Sequence, residues 1–417
     1  MSLDILYIAK TLKKLASTSR FTGSTGEAKA KEFIVSQLES FGLYVKLQPF
    51  QVDVYNIEKA RLEVLNPPLG VVACHGIGFS GVTPDEGVEG DLIFIDRGDK
   101  LLVPTFKNWI GLASSRPLHD DWKFISRFAS GLVIAEDNPH RRLSHVSIPY
   151  EWYRKFGSLP SVYVSFEDAF KLLKARRVKI LLKQKFSKVN SHNIIGVIEG
   201  SKYPDEIIMI TAHYDSVYNV KGAVDNAGGT AFVLALAKLF SEKKPLRTLK
   251  FALFSGEELG LRGSLSYVEE FRSELDKVRL VVNLDVHGTA FGSSNSIITG
   301  PEKLKNYVEA LADEIGTNIN IVEDIVGSDG ISFAKEGIPV VNFARFGGSG
   351  VNMHTELDDD RFVHEVAYLV LGRLVAEFLN RIANSEKLPF AKEIPDKLKK
   401  KVDEYFKKRL GIFDGKE

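Results

Sequence analysis

The sequence predicts an α/β protein: a mostly parallel sheet covered by helices on both faces, with a small β-rich domain inserted into it. Three observations carry this. From about residue 190, near-continuous apolar runs alternate with amphipathic stretches, the pattern of a sheet buried on both sides. Between 56 and 186 the texture changes to short apolar runs separated by long polar, aromatic-rich connections. A helical pattern over 27–41 stands before that insert.

In chain order, Ala30, Phe33, Ile34, Leu38 and Phe41 repeat at three and four, and Gly42 stops the helix they imply. Residues 43–55 read as extended, and Asn66-Pro67-Pro68 punctuates the chain. The insert offers short strands at 61–65, 92–96, 131–135 and 161–165. His119, His140 and His145 fall in its connections without metal-ligand spacing and read as solvated loop residues. Beyond it, strands are expected at 193–199, 206–212, 248–254, 279–285 and 338–343, and helices at 228–241, 262–275, 301–315, 329–336 and 361–383. Residues 386–417 form a Lys-rich tail in which Leu398, Val402, Tyr405 and Phe406 share one helical stripe, so the tail is expected to dock. The organisation expected is a discontinuous domain of 1–55 and 187–385, an insert of 56–186, and the tail.

The 417 residues are enough for two or three domains at roughly 150 residues each. With 44% hydrophobic and 26% charged residues the composition is that of a globular chain rather than a disordered one. Lys and Arg (55) balance Asp and Glu (54), so no global field points to nucleic acid. Cys74 is the single cysteine, which excludes an intramolecular disulfide and a thiolate zinc cage. Its bland reading is a small buried hydrophobe. The start, Met1-Ser2-Leu3-Asp4, lacks a basic and then apolar leader, and no run approaches ~18 apolar residues; the expected location is cytoplasmic, with no membrane partner.

Polar residues gather at the carboxyl ends of the predicted strands, where open α/β sheets place their sites. His213 and Asp215 follow 206–212, Glu257 and Glu258 follow 248–254, and Asp285 closes 279–285. Asp225 precedes a helix and His354 lies in a Gly-rich loop. Each has a structural alternative: a strand-end histidine, an N-cap at Asp225, solvated turn glutamates. Asp285 is harder to dismiss, since apolar neighbours would bury its charge. Together they suit a metal site of nitrogen and oxygen ligands without sulfur, fitting zinc, cobalt or manganese in a catalytic role.

The runs Thr211-Ala-His-Tyr-Asp-Ser216, Gly222-Ala-Val-Asp-Asn-Ala-Gly-Gly229, Ser255-Gly-Glu-Glu-Leu-Gly-Leu-Arg-Gly-Ser264, Asn283-Leu-Asp285, Ser328-Asp329 and Met353-His-Thr355, in this order, resemble the co-catalytic zinc aminopeptidases. That family includes bacterial leucyl aminopeptidases and glutamate carboxypeptidases. The insert, with Gly90-Asp-Leu-Ile-Phe-Ile-Asp-Arg-Gly98 and Leu159-Pro-Ser-Val-Tyr-Val164, is similar to the protease-associated domain some members carry. The resemblance implies a three-layer α/β/α fold with a mixed, mostly parallel sheet. It implies two divalent ions: Asp225 bridges them, His213 and Asp285 complete one, Glu258 and His354 the other. Asp215 would hold the His213 imidazole. Glu257 would be the general base toward a hydroxide that the ions supply, cleaving the N-terminal bond of a peptide substrate.

Two positions depart from the pattern. Ile325 stands where some members place an oxyanion-steadying Tyr, and Gly330 where a His is usual, which leaves His287 as a candidate helper. An apolar specificity pocket would draw on Val286, Ile325, Phe346 and Met353. A carboxypeptidase or dipeptidase would need a cation for the substrate carboxylate, with Arg345 the candidate. Glutaminyl cyclase, with its single zinc, and a non-catalytic receptor with eroded ligands are the remaining readings; the complete ligand set counts against both. A homo-oligomer is compatible with the sequence.

Overall fold

The computed structural model describes residues 3–413, all but the side chains of Phe346 and Ser349. The chain divides into two units. The first takes the residues up to Val52, Asn190–Met353 and Asp358–Asp403; the second takes Asp53–Val189, His354–Leu357 and the residues from Glu404.

In the first unit the strands pair in the order Asn320–Glu323, Ser293–Thr299, Val340–Phe346, Val278–Leu284, Tyr203–His213, Arg247–Phe254, and the last part of Arg177–Ile198. The four from Val340–Phe346 to Arg247–Phe254 are mutually parallel. Arg177–Ile198 and Ser293–Thr299 flank them antiparallel, which makes the sheet mixed. Ile207, Ile208, Met209 and Ile210 are all buried, because helices cover both faces. On one face Ile208, Ile210, Phe251 and Val282 pack with residues of the helices Ile5–Leu15, Thr25–Ser40, Gly228–Ser241, Glu302–Ile315 and Tyr368–Asn384. On the other, Phe254 meets Tyr267 and Phe333 from the helices Arg262–Glu270 and Gly330–Lys335. The result is the three-layer α/β/α arrangement.

The connection order positions a site. Tyr203–His213 is the first of the four parallel strands in the chain, with Arg247–Phe254 on one side and Val278–Leu284 on the other. The winding therefore reverses at Tyr203–His213, and its carboxyl end opens on a crevice.

Several expected elements differ in extent. The helix expected over 262–275 ends at Glu270, and Arg272–Lys277 continues as a tighter 3-10 turn that still buries Leu275. The helix expected over 361–383 begins only at Tyr368. Before it, the side chains of Asp359 and His364 accept the N–H groups of Arg361 and Val366, a local alternative to helix. The strands Ser293–Thr299 and Asn320–Glu323 and the helix Ile5–Leu15 have no counterpart in the sequence reading. Among the described residues one helical stretch, Ala223–Ser241, is long and apolar enough to cross a membrane; 94% of it is buried in the fold, as a core helix would be.

In the second unit the strands run in the order of the first part of Arg177–Ile198, then Val88–Asp96, Trp109–Ala113, Gly131–Ala135, Ser161–Val164 and Cys74–Gly76. Leu62, Val64, Ile110, Leu112, Val133, Val162 and Ile180 form its core, and half-buried Cys74 packs against them. Burial pushes the Cys74 thiol up to about 11, so it is a thiol rather than a thiolate at neutral pH. Two of the insert histidines are not solvated, contrary to the sequence reading. His119 is buried at the start of the helix His119–Ile125, edge-on to Trp152 and Phe156. His145 stacks on His75 at 3.9 Å, and burial pushes its pKa down to about 3.

In the tail, the helix Asp396–Tyr405 buries Leu398 and Val402, and Phe406 is buried just beyond it. Lys401 reaches Asp324 at 2.7 Å and Asp403 reaches Lys335 at 2.7 Å. Residues 414–417 of the expected tail lie outside the described residues.

Candidate metal centre

His213 ends its strand with 1% of its surface exposed. Its Nε2 lies 3.1 Å from Asp225 and 3.3 Å from Asp285, and its Nδ1 lies 3.4 Å from Asp215. One ligand atom from each of His213, Asp225 and Asp285 falls within 4.8 Å of the others.

Asp225 reaches this point through a loop that only particular residues can form. Gly222 has φ +59°, and a Cβ there would stand 2.2 Å from the Asp225 carbonyl oxygen. The Asp225–Asn226 peptide is cis. The adjoining helix is closed by Asn226: its Oδ1 accepts the Gly229 N–H at 2.9 Å, while its Nδ2 donates to the Leu284 carbonyl at 2.9 Å. The N-cap role that was the structural alternative for Asp225 is thus taken one residue later, and the Asp225 carboxylate faces His213. Gly229 lets the helix meet the end of the Val278–Leu284 strand, since a Cβ on it would lie 2.2 Å from the Leu284 carbonyl oxygen.

Asp215 is fully buried and organises the glutamate turn. Its oxygens accept the N–H groups of Glu257 and Glu258, both at 3.3 Å, and the Thr22 hydroxyl at 3.3 Å. Glu257 and Glu258 keep some surface at the mouth, yet sit deep enough that burial pushes both carboxyls well up. Glu258 and Asp329 add to the rise at Glu257, and Asp225 to that at Glu258.

Two buried groups support this loop layer without being legible as site residues. Arg20 has no exposed surface. Its guanidinium donates to the carbonyls of Leu15 (3.0 Å), Tyr214 (2.8 Å), Lys221 (2.5 Å) and Gly222 (2.8 Å). Burial lowers its pKa to about 10, against the pull of Asp358, Asp215, Asp225 and Glu258. Asp358 accepts the N–H groups of Val224 (2.8 Å) and Asp225 (3.2 Å), and burial pushes it up to about 7. Apart from Leu15, the partners of both are backbone groups far away in the chain, so no spacing announces them.

The donor set fits a divalent cation. Asp285 Oδ1 and both Asp329 oxygens are buried with no hydrogen-bond partner among the described residues. Burial works against an imidazolium at His213, but the charge of Asp285 and contacts with Asp215 and Asp225 outweigh it and raise its pKa. A site whose carboxylates hold a proton on a buried histidine so firmly is one lacking positive charge, which a metal ion supplies.

The comparisons agree with this chemistry. Residues 193–379 match the model of peptidase family M28. The chain is a metal-dependent peptidase. It is 28% identical over 404 residues to aminopeptidase YwaD of Bacillus subtilis, covering 93% of this chain and 86% of that protein. It is 26% identical over 345 residues to carboxypeptidase Q of Xenopus laevis, covering 77% of this chain and 73% of that one. The solved structure of BSAP, a zinc aminopeptidase from Bacillus subtilis, shares the fold with a TM-score of 0.77 at 23% identity, covering 95% of this chain and 99% of that one.

Within the peptidase, the sequence-predicted residues His213, Asp215, Asp225, Glu257, Glu258 and Asp285 lie together at the strand ends of the first unit. His354 follows the turn Gly348–Asn352 with φ +63°, in the four residues grouped with the second unit, where its carbonyl accepts the His145 N–H at 2.8 Å. Asp329, quoted in a motif but given no role by the sequence reading, is fully buried among these groups, and burial pushes it up to about 7. His287 is engaged elsewhere. Its Nε2 donates to the Phe343 carbonyl at 2.7 Å, and its ring packs edge-on to Phe232. Arg345 is also engaged, donating to the carbonyls of Thr289 and Ala290 and to Ser294, each at 3.0 Å. Of the expected apolar pocket, Val286 is buried and Ile325 and Met353 are half-buried; the Phe346 side chain lies outside the described residues.

Proposed function

We propose that this peptidase is an aminopeptidase with a dinuclear divalent-metal centre, loaded with zinc, and that the insert is a protease-associated domain. The observation that carries the reading is the convergence of His213, Asp225 and Asp285 at the strand where the sheet reverses. His213, Asp225 and Asp285 would hold one ion, and Asp225, Glu258 and His354 the other. His354 enters the set through its motif, Met353-His-Thr355. When bound, the two ions would acidify a water and polarise the scissile carbonyl.

The chain's own residues do the rest. Glu257 takes a proton from the attacking water and passes it to the leaving amine. Its raised proton affinity suits a group that must hold that proton between the two transfers. Asp215 fixes the Glu257–Glu258 turn from behind; in this reading Glu258 would serve an ion and Glu257 the water.

Aminopeptidase YwaD, matched along nearly the whole chain, supports cleavage at the N-terminus. The likeness to carboxypeptidase Q favours the second reading, a carboxypeptidase or dipeptidase. Against it, Arg345, the cation that reading required from the sequence, is bound to its own fold. Native mass spectrometry of the zinc-reconstituted protein tests the centre. Two ions per chain are expected; one ion, or none, would overturn the dinuclear reading.

A further inference from the structure

Glu27 lies in the first turn of the helix Thr25–Ser40 with 6% of its surface exposed. Its Oε2 accepts the Gly23 N–H at 2.6 Å, while the Ser24 hydroxyl accepts the N–H of Glu27 at 3.1 Å. That exchange closes the helix start much as a capping box does. The other oxygen goes further than a cap requires. Oε1 accepts the hydroxyls of Ser191 and Ser255, the second at 2.5 Å. Burial pushes the Glu27 carboxyl up, and these three donors work against that rise. Capping a helix does not call for burying a carboxylate at such a cost.

Ser255 follows the strand Arg247–Phe254 and opens the turn that carries Glu257 and Glu258. It has no exposed surface, and its N–H donates to Asn193 Oδ1 at 3.3 Å. Its Oγ stands 3.4 Å from the Thr22 hydroxyl, which donates to Asp215 Oδ2 at 3.3 Å. With the one Ser255 hydrogen on Glu27, the Thr22 hydrogen is left to Ser255 or Asp215, and the carboxylate is the stronger acceptor. Glu27, Ser255, Thr22 and Asp215 are thus joined in a buried series within the first unit. The series ends on the carboxylate that accepts the N–H groups of Glu257 and Glu258.

We infer that Glu27 is a positioning residue of the peptidase: it anchors the glutamate turn through Ser255 and the Asp215 carboxylate through Ser255 and Thr22. The inference rests on the peptidase reading and extends its machinery to a helix whose Glu27 is 228 positions from Ser255. Glu27 touches neither the proposed ligands nor the base; it acts through the groups that hold them.

The test is the zinc affinity of the metal-free protein, read by competition with a chelating dye, alongside kcat and KM of the reloaded enzyme. Glu27→Gln keeps the side-chain size but exchanges an acceptor oxygen for an N–H donor and a charge-assisted bond for a neutral one. It should weaken zinc binding about 10-fold and lower kcat about 10-fold, with KM within about twofold of the wild type. Ser255→Ala should do the same, and the double variant should lie within about twofold of either single one, because both cut the same connection. Ser24→Ala removes the helix cap alone, so Tm should fall while zinc affinity and kcat stay within about twofold of the wild type. Unchanged zinc affinity and kcat in Glu27→Gln, with only a lower Tm, would reduce Glu27 to a cap and overturn the inference. Independent, multiplying losses in the double variant would overturn it too, as would a loss of zinc affinity in Ser24→Ala equal to that in Glu27→Gln. If Glu27→Gln does not fold, Ser255→Ala set against Ser24→Ala decides in the same terms. If the wild type binds zinc and cleaves no peptide, the peptidase reading falls, and the zinc titrations still decide the role of Glu27. A wild type that takes up no zinc would overturn both.

Discussion

The carboxylate of Asp215 accepts the backbone N–H of Glu257 at 3.3 Å, and with its other oxygen that of Glu258. The same carboxylate lies 3.4 Å from the His213 Nδ1. One buried residue therefore ties the strand-end histidine to the glutamate turn. Asp215→Asn replaces one acceptor oxygen with an amide donor facing an N–H. It should cost ~10–100-fold in activity or metal affinity, the range for groups that orient metal ligands. Zinc titration together with kcat measures this; wild-type values in both would contradict the assigned role.

Glu257→Ala should separate chemistry from metal binding. The ligand set does not include Glu257, so zinc content should stay near that of the wild type. Loss of the general base should lower kcat by at least ~100-fold. Loss of zinc in parallel with activity would move Glu257 from the base to the ligand set.

Arg20 is predicted to be a stability residue of the site. Its guanidinium is the donor for four backbone carbonyls in the layer beneath Asp215 and Asp225. Arg20→Met leaves those acceptors and the nearby carboxylates without that charge, and breaking such a buried arrangement typically costs ~3–5 kcal/mol. Urea unfolding of metal-free wild type and variant gives the difference. A loss below about 1 kcal/mol would show that water or another group replaces Arg20.

His287 supplies a pH prediction. Burial lowers its pKa to about 4, below the ordinary histidine value of 6.5. The unfolded chain therefore binds a proton at His287 before the folded one does. Stability from this group is full above pH ~6.5 and falls as pH drops toward about 4. His287→Gln removes the dependence, so the stability difference between wild type and variant should narrow as pH falls through that window. A difference constant from pH 7 to 4 would contradict it. The same neutrality, with Nε2 engaged by the Phe343 carbonyl, argues against His287 as a cationic oxyanion helper.

Much of the site was legible because its chemistry is local in sequence. His213, Glu257 and Asp285 each follow an apolar run that becomes a central strand, so strand ends and polar residues could be read together. The parallel core was legible for the same reason: Ile207–Ile210 and Val281–Val282 are apolar on both faces. The strands Ser293–Thr299 and Asn320–Glu323 were not, because an edge rich in Ser and Asn lacks a continuous apolar signal. Arg20 and Asp358 were not, because their partners are distant backbone groups. The pairing of His75 with His145 was hidden for a related reason: 70 positions separate residues whose rings stack in the fold.

The central claim is cleavage at a free amino terminus by the zinc-loaded centre. One short peptide in three forms decides it: free at both ends, N-acetylated, and C-amidated. The account predicts that the free and amidated forms lose their N-terminal residue and that the acetylated form is left intact. Cleavage of the acetylated form but not the amidated one would contradict it and establish the carboxypeptidase reading instead.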